Sequence, residues 1–160
     1  MAERKPLVLV DGEIQQLQAG DEINVPVSGA NVTQLINNEV GSVVICSAVY
    51  INAANGFLKS RANAVGTSKT IGLVGQTSIT ASVSGDVAVS GIFSATTGEW
   101  DAVTGGSGGL TPNAIYYVSD ATAGLLTTTP PSASGSYVVS VGIAISTTTM
   151  RIQIGSRILL

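Results

Sequence analysis

Over most of its length this chain permits one kind of regular structure, because apolar residues recur at every second position and almost nowhere at helical spacing. Ile79, Ala81 and Val83 alternate with Thr80, Ser82 and Ser84; beyond Gly85-Asp86, Val87 and Val89 alternate with Ala88 and Ser90. That pattern predicts a hairpin turning at Gly85-Asp86 with one apolar face. Met150, Ile152 and Ile154 against Arg151, Gln153 and Gly155 predict a last strand. Val43 to Ile51 is almost continuously apolar and β-branched, as a strand covered on both faces would be. The exception is Asn31 to Asn38, where Val32, Leu35 and Ile36 would share a helical face beneath an Asn31 cap. About two turns is marginal for an isolated helix, so this segment is expected to be a short helical connector in an all-β chain.

The second constraint is an internal echo. Ala48-Val49-Tyr50-Ile51 through Ile71-Gly72-Leu73-Val74 returns as Ile115-Tyr116-Tyr117-Val118 through Val141-Gly142-Ile143-Ala144. Tyr50 corresponds to Tyr117, Gly56-Phe57-Leu58 to Gly124-Leu125-Leu126, Gly72 to Gly142, and Val87-Ala88-Val89 to Met150-Arg151-Ile152. The gaps between these anchors fall in Ser-, Thr- and Ala-rich loops, which tolerate insertion. The fold expected is therefore a small β-sandwich or barrel built from two similar β-units, residues 41–92 and 110–155, joined by a linker loop over 93–109. Together with the connector they make a β-domain over 31–160.

Residues 1–30 read as an extended N-terminal arm. Leu7, Val8, Leu9 and Val10 form an apolar strand ending at Asp11-Gly12, a dipeptide suited to a tight hairpin turn. Glu13 to Gln18 is the expected return strand, and the three-residue spacing of Ile14 and Leu17 predicts a bulge near Gln15-Gln16 or a strand that pairs with something other than its neighbour. Ile23, Val25 and Val27 alternate around Pro26, which cannot donate to a ladder and so predicts an edge strand. At the other end Ile158-Leu159-Leu160 is apolar and is expected to be docked.

Composition narrows the function. Charged residues are 11% of the chain, well under the roughly 25% of an average soluble domain. Scarce surface charge implies that apolar surface is buried between subunits. The net charge of −3 and seven scattered basic residues give no basis for nucleic-acid or anionic-membrane binding. No apolar run is long enough for a transmembrane helix or a signal sequence. Without histidine, Ser-His-Asp and Cys-His catalysis and the usual zinc sites are excluded. Cys46, the one cysteine, lies among Val43, Val44, Ile45 and Val49 and reads as a small core residue. The ten carboxylates fall mostly at expected turns, where Asp and Glu bond the local backbone, and no phosphate loop or calcium loop is present. The chain is therefore expected to be no enzyme and to need no cofactor or metal. Trp100, between Glu99 and Asp101, is expected to plug a loop or anchor a subunit contact.

Three stretches carry a resemblance. Lys5 to Leu17 resembles the opening of many tailed-bacteriophage virion proteins; Trp100 to Gly105, Gly109 to Val118 and Gly124 to Pro130 resemble a β-module of the same setting. Val139 to Ser146, followed by a Thr-rich turn and Met150 to Ile154, is similar to the small β-domain of capsid cement, or head decoration, proteins. The resemblance implies a structural protein on the virion surface, made in the host cytoplasm. It would bind the major capsid protein and itself, as a homo-oligomer of trimeric type, and stabilise the shell. The expected partner interface comprises Leu7, Val8, Leu9, Val10, Ile23, Val25, Val27 and Trp100. A tail-fibre or receptor-binding module contacting host glycans is the alternative reading.

Overall fold

The computed structural model describes residues 29–53 and 55–160, together with the backbone pairing of β1 (Leu7–Val10) with β2 (Glu13–Gln16). Ile23, Val25 and Val27 fall outside the described residues. After this hairpin the chain runs β3 (Ala30–Asn37), β4 (Val43–Val44), β5 (Ala48–Ala53), β6 (Gly56–Lys59), β7 (Thr70–Val74), β8 (Ser78–Ile79) and β9 (Ser84–Ser94). The one helix among the described residues, α1 (Thr97–Thr104), precedes β10 (Ile115–Val118), β11 (Leu126–Thr127), β12 (Tyr137–Val138), β13 (Ser140–Ala144), β14 (Thr149–Ile152) and β15 (Ile158–Leu159). The class is all-β, as the alternation predicts.

One nine-stranded sheet organises the body in the order β11-β10-β13-β14-β9-β3-β6-β5-β7, and a further pairing of β7 with β9 closes its second half on itself. Five strands, β3, β6, β5, β7 and β9, thus form a barrel, and β14, β13, β10 and β11 extend from it as a wing. β9 belongs to both. Ser84 to Gly91 pair with β3, Val87 and Ala88 with β7, and Gly91 to Ser94 with β14.

The two units repeat each other strand for strand. β5 pairs with β6 and β7 as β10 pairs with β11 and β13. In the first unit Val49 sits opposite Gly72 and Tyr50 opposite Thr70, with a register shift between them; in the second Tyr116 sits opposite Gly142 and Tyr117 opposite Ser140, with the same shift. The turn before each first strand is also shared. Cys46 and Asn113 are left-handed at φ 66° and 65°, and their N–H groups donate to Val74 and Ala144 at 2.9 and 2.8 Å. Gly72 and Gly142 have one reason to be glycine: a Cβ on either would strike a carbonyl oxygen of the next strand, Ala88 in one unit and Arg151 in the other. The ladders correct one expected equivalence. Ile51 opposes Phe57 and Val118 opposes Leu126, so Phe57 matches Leu126 rather than Leu125.

The repeats bury different surfaces. The barrel interior holds Leu35, Val43, Val49, Phe57, Val74, Ile79 and Val87. Their second-unit counterparts Leu110, Tyr116, Leu126, Ala144 and Met150 belong to a larger cluster that also contains Ala48, Leu73 and Ala88 from the outer side of the first unit. Trp100 and Val103 of α1 join that cluster.

Several local expectations are overturned. The helical connector is a strand, β3, because it satisfies both edges at once, antiparallel to β9 and parallel to β6, which an isolated two-turn helix cannot match. Gly85-Asp86 is strand rather than turn. The chain reverses at Ala81-Ser82, with Ser82 at φ 63° and Val83 N–H donating to Thr80 at 3.1 Å, and Gly85 makes room for the Ile79 side chain. β8 consequently pairs with β4 and not with β9. The run Val43 to Ile51 breaks at Cys46 into β4 and β5. The expected linker loop 93–109 contains the end of β9 and all of α1. The described ladder runs without a shift from Leu7↔Gln16 to Val10↔Glu13, so no bulge stands at Gln15-Gln16.

Candidate functional site

The carboxylates next to Trp100 are bound up in holding α1. Thr96 caps the helix and Glu99 completes a capping box, its Oε2 accepting from the Thr96 N–H and hydroxyl at 2.8 Å each. Asp101 accepts from Gly108 and Gly109 N–H at 3.0 and 2.8 Å. Gly105 ends the helix in the left-handed conformation, φ 67°, donating back to the Asp101 carbonyl at 2.9 Å. The glycine run is therefore a helix stop folded onto an aspartate. Glu39 accepts from Lys59 N–H at 2.8 Å and Asp120 from the Ser136 hydroxyl at 3.3 Å. Among the described residues no three His, Cys, Asp or Glu side chains cluster in a manner that could hold a metal ion.

Trp100 is fully buried. Its Nε1–H donates to the Thr148 carbonyl at 2.9 Å and its ring meets Phe93 edge-on, 5.9 Å between centroids. It plugs the wing core as one sequence reading expects, and it has no surface to offer a partner, which removes it from the expected interface. Tyr116 is likewise buried and accepts from Thr111 N–H at 2.8 Å, while Tyr117 is partly exposed, so successive strand positions part as the alternation requires. Cys46 is buried too; burial first, and the nearby Glu99 charge second, push its thiol well above the usual range.

The surface that stands out is the outer face of the second unit. Ile115, Ile143, Arg151 and Ile92 oppose one another across β10, β13, β14 and β9. Ile115, Ile143 and Ile92 keep 43%, 42% and 38% of their surface exposed, and Ile158 on β15 keeps 59%. β15 is docked by backbone alone, to β12 and through Leu160 N–H to Ser136 at 3.0 Å, so its side chains stay outside. Between β10, β13 and β15 a shallow groove forms, lined by Ile115, Tyr117, Val138, Ile143, Ile154 and Ile158 over Gly142. No charged residue lines it. In the sequence these isoleucines look like core, since their spacing matches Ala48 and Leu73, and nothing local marks them as uncovered. Of the residues expected at an interface, Leu7 to Val10 lie in β1, whose ladder is a two-stranded sheet of its own.

Neither the protein-family models nor the curated proteins include a match to this chain.

Proposed function

We propose that this chain is a structural protein of a tailed-phage particle, a cement protein that binds the outer surface of the capsid in several associated copies and reinforces the shell. The observation that carries the reading is the open apolar row on the second unit, Ile115, Ile143 and Ile92, where the first unit's counterparts of Ile115 and Ile143, Ala48 and Leu73, are fully buried and that of Ile92, Val32, is half exposed. A surface of that kind favours protein contact. The N-terminal hairpin supports it, since among the described residues Leu7 to Val10 pair with β2 in a two-stranded sheet, and a two-stranded ribbon gains stability by adding to a neighbour. Apolar contact returns about 25 cal/mol per Å², so even a few hundred Å² per copy yields several kcal/mol before ordering costs. Multiple copies raise this through effective concentration.

The receptor-binding alternative needs exposed aromatic platforms, and Trp100 and Tyr116 are both inside. The test is assembly of particles with the full chain, with a chain lacking residues 1–28, and with none. Full-chain particles should withstand heating or osmotic shock that bursts bare ones, and the truncated protein should fold yet fail to occupy them. Equal robustness with and without the protein would overturn the proposal.

A further inference from the structure

The two units are stacked head to tail, and the stack stops one surface short. Ala48, Leu73 and Ala88, on the outer side of the first unit, are fully buried against the inner side of the second. Their counterparts by ladder position are Ile115, Ile143 and Arg151, and these are exposed. These three positions are thus covered in one repeat and bare in the next, still apolar apart from the arginine, whereas the flanking Val32 and Ile92 are open in both.

What covers the bare three is limited by the rest of the molecule. A further round of stacking would need an open inner face, and the first unit's is filled by the barrel core and closed by β3. Two copies meeting through this same face would enclose two Arg151 side chains in a contact whose row, Ile115, Ile143, Arg151 and Ile92, supplies no carboxylate. The arginine calls instead for an apolar segment that carries acid, and the charge distribution points to one. Residues 29–160 hold five basic and five acidic side chains, whereas residues 1–28 hold two basic and five acidic, the whole of the net −3. Within them Leu7, Val8, Leu9, Val10 and Ile14 are interleaved with Asp11 and Glu13. Twelve residues, 17–28, separate this hairpin from Gly29, a tether of up to roughly 40 Å. Gly29 lies at the border of the bare face, its carbonyl accepting from Ile92 N–H at 3.3 Å.

We propose that the outer face of the second unit, centred on Ile143 and Arg151, receives residues 7–16 of a second copy of this chain. Each copy then gives one hairpin and takes one, so that a closed assembly, a reciprocal pair or a ring, leaves no face bare. The inference rests on the functional reading only in naming the neighbour the arm finds; its test uses purified full-length protein without particles. Sedimentation should show a discrete oligomer for wild type, an association constant at least tenfold weaker for Ile143→Asp, and no change for Val40→Asp at a fully exposed site elsewhere. Val8→Cys and Ile143→Cys chains, each with Cys46→Ala, should form a disulfide between chains when mixed and oxidised, a readout that survives if Ile143→Asp fails to fold. A monomeric wild type, an oligomer indifferent to Ile143→Asp, or cross-links confined to a single chain carrying both cysteines would overturn it. A monomer would leave attachment to particles standing, while an oligomer that particles never carry would defeat the cement reading alone.

Discussion

Leu73 and Ile143 occupy one position in two copies of the same unit, so replacing each by alanine measures what the stacking of the units is worth. Leu73 is fully buried in the cluster formed between the first unit's outer side and the second unit's inner side. Leu73→Ala should cost about 3 kcal/mol, the transfer term plus a cavity that close-packed neighbours fill only in part. Ile143 is already 42% exposed and has no covering layer. Ile143→Ala should cost under about 1 kcal/mol in the isolated chain. For a chain of this size the first change corresponds to a fall in Tm of roughly 6–12 °C and the second to a few degrees at most. Trp100, the single tryptophan, buried against Phe93, reports unfolding by its fluorescence in a urea titration. The comparison should be made at low protein concentration, where association does not add to stability. Equal losses at the two positions would refute the stacked arrangement.

Two further outcomes follow from single residues. Asn37 is fully buried, donates to the Ile79 and Gly41 carbonyls at 2.8 and 2.9 Å and accepts from Glu39 N–H at 2.9 Å, so Asn37→Ala should destabilise by about 2–4 kcal/mol in the same titration. Because the folded Cys46 thiol is held protonated by burial and by Glu99, its contribution is fully present below the unfolded thiol's pKa of about 8.5 and is lost as pH rises beyond it. Wild type should therefore lose about 1.4 kcal/mol between pH 7 and pH 9.5 that Cys46→Ala does not, measured as the difference between the two proteins.

The strand content and the duplication were legible because both rest on periodicity, and the matched Tyr, Gly and alternating apolar positions survive any loop insertion. β3 was hidden by Asn37. A strand whose buried positions are Leu35 and an asparagine shows no apolar alternation, while its outward Val32 and Ile36 mimic a helical face. α1 had a signal in Thr96 and Glu99, three residues apart as a capping box requires, but the glycine run beside it reads more strongly as loop. The bare outer face had no local signal, since Ile143 and Leu73 are equally apolar and only the order of stacking decides which is covered. Trp100 could not be placed from sequence for the same reason: whether an aromatic plugs a core or meets a partner depends on what lies across from it.

The sharing of β9 between barrel and wing has a genetic consequence. The barrel closes with its own five strands, whereas the second unit does not, because Gly91 to Ser94 at the end of the barrel strand β9 complete the sheet of the wing. A gene severed at the Gly105–Gly109 loop would encode a C-terminal fragment that lacks the strand completing its sheet. The wing thus depends on the barrel for its last strand, while the barrel closes without the wing.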